Sequence, residues 1–458
     1  MGHCTLPTQV SACTPEHAAM GHCTMPESHG DAHGGHGAGM AATAPQAPMT
    51  RDGSGTAWNP DASPMEALHG TVGGWTTMVH GAVYPRVTAQ DVFESGTRGA
   101  TKVGAPNWLM GMGHRALGSA HVTLRGMVSL DPVTEGKRGY PLLFQTGEAV
   151  DGQPLIDTQH PHDLFMELSA TVAVPVGEQG SVFGYVAYPG EPALGPTAFM
   201  HRPSARTLPD APLGHHWQDA THIVFGVATV GAVYGPLKLD ASLFTGREPD
   251  EERYGFDRPR FDSYSGRVTF APSPHWTLQA SSAFIKAPEE LHPDLDLVRT
   301  TASVQHTRTT AAGLWSSALV WGYNAARENG TATDDHTGHA FLLESDLSRG
   351  PWAVFGRAEA VQKGPDELGV ATSGSGHAHA TVGAFTLGGA YRGVRVGAAT
   401  AMLGVSGTAY AVPDVLRGAY GSAPVSAQAF LRLVLDDGRH TAGAAASSGG
   451  GAHAGMDH

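Results

Sequence analysis

The chain has 458 residues, of which 15% are charged, and its formal net charge at pH 7 is −14. In soluble globular proteins about a quarter of all residues are charged. The lower fraction in this chain indicates that something other than water covers part of the surface. Nucleic acid is excluded as a partner because a phosphate backbone requires a basic protein face. The sequence also contains no apolar run of about eighteen residues, which a transmembrane helix would need.

The first part of the chain, residues 1–70, has no sustained hydrophobic periodicity and almost no large aliphatic side chains. A segment that cannot bury an apolar face stays unfolded until something binds it. We therefore predict a flexible leader over residues 1–70 and a second flexible tail, rich in Gly, Ala and His, over residues 438–458. The chain opens without the basic region and apolar stretch of a secretory signal, so we expect that further residues precede Met1.

An imperfect repeat in the leader concentrates sulfur and imidazole donors. Met1-Gly-His-Cys-Thr-Leu-Pro7 returns as Met20-Gly-His-Cys-Thr-Met-Pro26. Thiolate and thioether sulfur select Cu(I), whereas imidazole binds copper and zinc, and neither copy has the Cys-x₂-Cys spacing of a structural zinc site. We therefore predict that the leader captures or transfers a labile metal, with Cu(I) as the bound ion. The candidate ligands are His3, Cys4, Cys13, His17, Met20, His22, Cys23 and Met25.

Two alternatives remain open for the leader. It could be a low-complexity stretch with adventitious metal affinity, and its cysteines could pair with each other in an oxidising compartment. All three cysteines lie within the first 23 residues. A disulfide framework for the rest of the chain is therefore excluded.

The body of the chain, residues 71–437, alternates small polar and apolar side chains in long runs bounded by turn residues. Strands of soluble proteins average about 5–6 residues, whereas a tilted strand that crosses a bilayer needs about 9–11. The alternating runs in this chain have the length of strands that cross a bilayer. They predict strands at 73–84, 107–113, 118–131, 163–176, 180–190, 220–234, 236–247, 261–272, 275–286, 296–308, 311–324, 338–349, 351–363, 378–391, 393–407 and 424–436.

Short and long connections alternate between these strands. Outer-membrane barrels have short periplasmic turns, longer extracellular loops and an even number of strands. We therefore predict an all-β fold, a transmembrane antiparallel up-and-down β-barrel of about sixteen strands in the cell outer membrane, with lipid around it. A soluble sandwich or propeller is the alternative, but no blade-length repeat is present. The predicted long connections are 132–162, 191–219, 248–260, 287–295, 325–337, 364–377 and 408–423.

Polar and apolar side chains also fall on opposite faces of the predicted strands. Lys238, Asp240 and Ser242 share one face of the strand 236–247, and leucines occupy the other. A lipid-facing row must be apolar, whereas a lumen-facing row can be polar. Charged residues on the polar faces are predicted to line the lumen, where they stabilise it and select ions. The lumen candidates are Glu167, Glu344, Arg357, Glu359 and Arg432.

A second candidate site closes the longest loop, at His160-Pro161-His162-Asp163. Proline holds the preceding residue in extended geometry, and residues two apart on an extended chain point the same way. His160, His162 and Asp163 could therefore bind a transition metal, or they could clamp the loop by hydrogen bonds. Both interpretations stay open.

The combination of a Met/His-rich leader and a barrel resembles the outer-membrane proteins of bacterial copper-resistance systems, in particular the B-type copper-resistance protein. Residues 152–167, Gly-Gln-Pro-Leu-Ile-Asp-Thr-Gln-His-Pro-His-Asp-Leu-Phe-Met-Glu, also look like a segment of uncharacterised barrel proteins encoded among metal-efflux genes. The resemblance implies copper binding, efflux or resistance at the outer membrane. The expected partners are a transition-metal ion and periplasmic metal-efflux components.

Two other functions remain. The first is a general porin-like channel for small solutes, in which metal binding by the leader is incidental. The second is an outer-membrane hydrolase with a serine and a histidine paired on the barrel wall. The sequence lacks the G-x-S-x-G, H-E-x-x-H and P-loop motifs, so we predict that the protein is not an enzyme.

Overall fold

The computed structural model describes residues 40–371 and 379–437. The predicted flexible tail, residues 438–458, lies outside the described residues. The predicted leader ligands also lie outside them: His3, Cys4, Cys13, His17, Met20, His22, Cys23 and Met25.

Strands make up most of the described chain. In chain order they are β1 (Leu68–Val72), β2 (Trp75–Val83), β3 (Arg86–Gln90), β4 (Ala100–Gly104), β5 (Asn107–Leu117), β6 (Ala120–Val128), β7 (Tyr140–Pro141), β8 (Ala149–Val150), β9 (Gln153–Pro154), β10 (Thr158–Gln159), β11 (Phe165–Val176), β12 (Gly180–Ala187), β13 (Val227–Tyr234), β14 (Leu237–Phe244), β15 (Ser263–Ser273), β16 (Trp276–Ile285), β17 (Leu295–Thr310), β18 (Gly313–Glu328), β19 (Thr331–Arg349), β20 (Trp352–Lys363), β21 (Ala380–Val396), β22 (Ala399–Ala411) and β23 (Val425–Leu435). The helices are α1 (Asp131–Thr134), α2 (His215–Gln218) and α3 (Arg417–Tyr420), with 3₁₀ turns at Met49–Arg51, Phe199–His201, Ala220–His222 and Asp414–Leu416. Among the described residues, no helix has the length and hydropathy needed to span a bilayer.

Sixteen antiparallel strands form a closed barrel, as the sequence predicts. The ring closes where β2 pairs with β23 on one side, with Ala82 opposite Val434, and with β5 on the other. The first two barrel strands are each interrupted by a proline, Pro85 between β2 and β3 and Pro106 between β4 and β5, because proline has no N–H for the ladder. Pairing with β23 resumes in β3. Closure of the ring removes the unpaired edges of an open sheet.

The wall has an apolar outer face and a polar inner face. Side chains on its outer face, such as Leu319, Leu343 and Leu403, are more than half exposed. Water disfavours such rows, whereas lipid hydrocarbon accommodates them. Aromatic side chains, including Tyr234, Trp276 and Trp352, are exposed beside the short turns, where membrane proteins place their interfacial belts. Along β14 the exposed residues are Leu237, Leu239, Ala241 and Leu243, and the buried ones are Lys238, Asp240, Ser242 and Phe244.

The strand pattern differs from the predicted one at the β18–β19 hairpin. The sequence predicts a loop over residues 325–337, but β18 continues to Glu328 and β19 starts at Thr331. Asn329 and Gly330 connect the strands with φ angles of 48° and 81°, as in the type I′ turns that favour Asn-Gly. The polar residues of this region therefore prolong a hairpin. The predicted break between the strands 378–391 and 393–407 is also wrong, because β21 continues to residue 396.

Residues 40–67, which belong to the predicted flexible leader, lie inside the barrel. They enter at the end that has the short turns, where the Ala62 N–H donates to the Pro274 carbonyl over 2.8 Å. Further in, Thr56 Oγ1 donates to Asp240 Oδ2 on the inner face of β14, over 2.7 Å. This segment packs against the inner wall without the apolar periodicity that marks a strand or helix.

A second inward segment, residues 188–226, enters from the end that has the long connections. Its Arg202 is fully buried. Arg202 Nε donates to Glu344 Oε1 of β19 over 2.5 Å, and Nη1 donates to Asp219 Oδ2 over 2.9 Å. Arg357 of β20 also pairs with Glu344, at 3.2 Å. This buried ion network fixes the segment to the wall.

Replacing Arg202 with methionine tests this anchor. The change leaves the carboxylates of Asp219 and Glu344 buried with one cation fewer, and breaking a buried ion pair costs about 3–5 kcal/mol. We expect a lower thermal midpoint in detergent and protease cleavage within residues 188–226. Arg417→Met is the control, because its ion pair is exposed and such pairs contribute about 0–1 kcal/mol. Equal midpoints and equal protease resistance in the two variants would contradict the anchor.

Candidate functional site

Strand register brings methionine and histidine side chains together on the inner wall. Residues two apart on a strand share a face, so Met78 and His80 point the same way, as do Met110 and Met112. Met78 lies opposite Met112. His80 lies opposite Met110, and Met110 lies opposite Met127. With side chains from β11 and the two inward segments, these residues form what we call the Met/His cluster: Met49, Met65, Met78, His80, Met110, Met112, Met127, Met166, Met200 and His201.

Thioether and imidazole atoms are in direct contact in this cluster. His80 Nε2 lies 3.1 Å from Met110 Sδ, and His201 Nε2 lies 3.4 Å from Met127 Sδ. The two imidazole ring centroids are 5.5 Å apart, and Trp108 packs against both rings at 5.0 and 4.7 Å. Sulfur and imidazole donors gathered in one buried place are a soft ligand set of the kind that selects Cu(I).

The Met/His cluster was not predicted from the sequence. A period-two signal is present in the pairs Met78/His80 and Met110/Met112, which alternate with small or aliphatic residues. The strand register that joins these pairs cannot be read from either strand alone. Met200 and His201 belong to a loop, where periodicity gives no direction.

A second cluster, here the histidine cluster, lies nearer the end of the barrel that has the long connections. It consists of His160 and His162 from the loop 129–164, and of three histidines from the inward segment. Consecutive ring centroids are 6.0 Å (His160–His216), 5.6 Å (His216–His215), 5.1 Å (His215–His222) and 5.4 Å (His222–His162) apart. Five imidazoles thus form a continuous chain.

Acidic side chains hold these rings in place. His162 Nδ1 lies 2.7 Å from Asp131 Oδ2, and His215 Nδ1 lies 2.6 Å from Asp219 Oδ1. Carboxylates bonded to one ring nitrogen fix the tautomer and orientation of metal-binding histidines. His222 Nδ1 lies 2.9 Å from the Asp219 carbonyl oxygen, and its other ring nitrogen, Nε2, is buried without a hydrogen-bond partner among the described residues. The rings of the cluster are therefore oriented, and at least one ring nitrogen is not engaged in a hydrogen bond.

Burial lowers the pKa of four histidines of the cluster, His160, His215, His216 and His222, and so favours their neutral form. Desolvation lowers the pKa of His216 to about 4 and holds the pKa of His160 and of His222 well below the ordinary value. Neutral imidazole is the form that binds metal. Desolvation also raises the pKa of Asp163 to about 8 and that of Glu248 to about 7. Burial therefore favours the protonated, uncharged form of these two carboxyl groups, and a metal cation could replace the proton.

The 3₁₀ turn Phe199–His201 joins the two clusters. The Phe199 ring lies 5.4 Å from the His215 ring and 6.4 Å from the His222 ring. The next two residues, Met200 and His201, belong to the Met/His cluster. The two clusters are therefore contiguous inside the barrel.

The candidate residues of the loop 129–164 occupy different positions. His160 and His162 are each paired with a carboxylate of their own loop, which is the predicted clamp. Both also belong to the histidine cluster. Asp163 instead faces Arg253, with 3.7 Å between Oδ2 and Nη1. Metal binding by the three stays a prediction.

The residues predicted for the lumen lie on the inner wall and mostly anchor the segments that fill it. Arg432 Nη2 donates to Glu66 Oε2 over 2.5 Å. A carboxylate oxygen of Glu359 accepts the Leu213 N–H over 2.6 Å. A role in ion selectivity stays a prediction for all of them: Glu167, Glu344, Arg357, Glu359 and Arg432.

The architecture is that of an outer-membrane β-barrel. No family model matches the chain, and no curated protein matches its sequence. Solved structures similar to it include OmpF of Salmonella typhi in complex with daunomycin (9% identity, TM-score 0.48, 80% of this chain and 99% of that chain covered). An anion-selective porin from Comamonas acidovorans is also similar (12%, 0.47, 79% and 99%), as is a loop-deletion mutant of OmpT from Vibrio cholerae (8%, 0.45, 79% and 99%). The site described above rests on the geometry of this chain.

The protonation state of His216 provides a direct test of the histidine cluster. An unshifted imidazole gains a proton below about pH 6.5, whereas His216, with a pKa of about 4, stays neutral between those values. We expect a neutral imidazole signal in ¹⁵N-histidine spectra of the barrel in detergent. A His216→Gln variant identifies the signal by its loss. Titration of that signal near pH 6.5 would contradict the burial described.

Proposed function

We propose that this protein is an outer-membrane barrel that conducts copper ions along a path of donor side chains inside its lumen. The observation that carries the proposal is the contiguity of the Met/His cluster with the histidine cluster. Ten thioether and imidazole side chains are followed by five imidazoles within one barrel. A soft cation could pass between neighbouring donors within each cluster, and at the junction it would pass the Phe199 ring, which packs against His215 and His222.

The outward rows of leucine and valine support the membrane location. They need hydrocarbon around them, and a closed antiparallel barrel is the form in which strands cross a membrane. The short turns would then face the periplasm and the long connections the outside. On this basis the path has a direction relative to the cell.

Donor softness changes along the path. Met78 and Met112 lie towards the end with the short turns, and the histidine cluster lies towards the other end. Beyond it, the carboxylates of Glu148 and Glu248 approach His160 and His216 at 3.0 and 3.5 Å. Sulfur prefers Cu(I), imidazole accepts either copper state, and carboxylates prefer harder ions. A path whose donor atoms are softest at the periplasmic end and hardest at the outer end suits release of copper to the outside.

The leader is assigned the role of supplying the ion. The described chain begins at Met40, and a few residues further on Gln46 Nε2 donates to the Gln179 carbonyl of a short turn over 3.3 Å. Thiolates and thioethers of the leader would capture Cu(I) in the periplasm and pass it to Met49 and Met65. Periplasmic efflux components would be the source of the ion.

A porin-like channel for small solutes is the second candidate. The closed sixteen-stranded barrel with a charged inner wall favours it. In that case the methionines would serve as flexible packing groups, which is their common role in protein interiors. The two candidates differ in what the lumen conducts.

Substitution of two methionines separates these candidates. In Met110→Leu/Met127→Leu the packing volume is kept but both thioethers that contact histidine are lost. We expect Cu(I) flux into proteoliposomes that contain a trapped chelator to fall about tenfold, the lower bound of what disturbing a metal site costs in affinity. Met402→Leu is the matched control, because Met402 is a buried methionine outside the cluster.

The outcomes are distinct. A fall in Cu(I) flux in the double variant but not in Met402→Leu supports the copper path. Equal Cu(I) flux in all three proteins, with rapid passage of an uncharged sugar through each, supports the porin-like channel. In that case the copper path is rejected.

A further inference from the structure

A metal site of a different kind lies at the end of the barrel that has the long connections, outside both clusters. Glu289 and His292 belong to the loop between β16 and β17, and His336 belongs to β19. One donor atom from each of the three lies within 4.8 Å of the others. The ring centroids of His292 and His336 are 4.7 Å apart, and His336 Nδ1 lies 3.7 Å from Glu289 Oε1.

The backbone of β19 is distorted where it presents His336. The β18–β19 ladder shifts register between Asn324 and Ala326, whose partners are Gly338 and Thr333. The extra residues form a bulge, and His336 within it has a φ of 59°. Bulges re-aim side chains, and a left-handed conformation at a residue other than glycine marks local strain that tends to occur at functional positions.

Hydrogen bonds hold the bulge and the neighbouring loop in this arrangement. Thr337 Oγ1 donates to the Thr333 carbonyl over 2.6 Å and accepts the Ala326 N–H over 2.9 Å. The Asn329 N–H donates to the Asp294 carbonyl over 3.0 Å, which ties the hairpin tip to the loop. The donor side chains thus come from two elements that are already fixed to each other.

The surroundings are acidic. The three donors line a cavity of about 80 Å³, together with four further glutamates and a single arginine, Arg299. Glu367 adds a carboxylate 3.9 Å from His336 Nδ1. The excess of carboxylates over cations in the lining of this cavity favours binding of a divalent cation.

We propose that Glu289, His292 and His336 bind a divalent ion of the zinc type at the outer mouth of the barrel. Two histidines and one glutamate are an established donor set for zinc, with a fourth position left for water or another ligand. Donors about 2.1 Å from a tetrahedral ion are about 3.4 Å apart, so small side-chain rotations from the present spacing close the site. Its occupancy links the β16–β17 loop to the β18–β19 hairpin, independently of any transport.

Residue-resolved acylation tests the site in the full chain. The metal-free protein in detergent is treated with diethyl pyrocarbonate, with and without Zn²⁺, and each histidine is read by mass spectrometry. We expect Zn²⁺ to protect His292 and His336 together, and to leave the exposed His379 of a neighbouring loop unprotected. Metal bound by the leader does not interfere, because each residue is read separately.

Isosteric variants then assign the ligands. Disturbing partners outside the ligand shell already costs about 10–100-fold in metal affinity. We therefore expect Glu289→Gln to raise the Zn²⁺ concentration for half-protection of His292 at least about tenfold. Glu290→Gln is the matched control, because Glu290 lines the same cavity outside the donor set and should leave this concentration unchanged.

Two results would overturn the site. One is equal acylation of His292 with and without Zn²⁺ in the parent protein. The other is protection that Glu289→Gln and Glu290→Gln weaken equally. Neither result bears on the copper path, whose Cu(I) flux test uses other residues.

Discussion

Closure of the sheet is the constraint on which the other features depend. When β2 pairs with β23, every strand of the barrel wall has two neighbours, and the wall separates an apolar outer face from a polar inner face. The register of each strand is fixed by this separation, because a shift of one residue would move its apolar side chains to the inner face and its polar side chains to the outer face. The same register that directs Leu239 outward directs Met78, His80 and Met110 inward. The clusters in the lumen are therefore a consequence of closure.

The segments that fill the lumen bury the donor side chains of these clusters. Residues 40–67 and 188–226 fill much of the interior, so that imidazoles such as His216 stay neutral and most thioethers of the Met/His cluster are buried. The inward segments are held by buried ion pairs, of which Arg202 with Glu344 is the most enclosed. The charged residues predicted to stabilise the lumen and select ions thus contribute contacts that anchor the inward segments.

Much of the fold follows from period-two patterns in the sequence. The strand at β14 was predicted because leucines alternate with Lys238, Asp240 and Ser242. The extension of the β18–β19 hairpin over residues 325–337 was missed because polar residues beyond a membrane resemble a loop, although Asn329-Gly330 is a turn signal. The packing of residues 40–67 could not be predicted, since irregular backbone that fills a lumen needs no periodicity. The donor clusters also required cross-strand register and loop positions, which depend on distant parts of the chain.

The separation of the two faces can be measured most directly by spin labels on alternate positions of β14 in lipid bilayers, with Cys4, Cys13 and Cys23 replaced by serine. Collision rates with oxygen and with a water-soluble nickel chelate are recorded at each label. At Leu239 and Leu243 we expect frequent collisions with oxygen and few with nickel, as for positions in hydrocarbon. Nickel access at these two positions as high as at Glu251, in a long connection, would contradict the account.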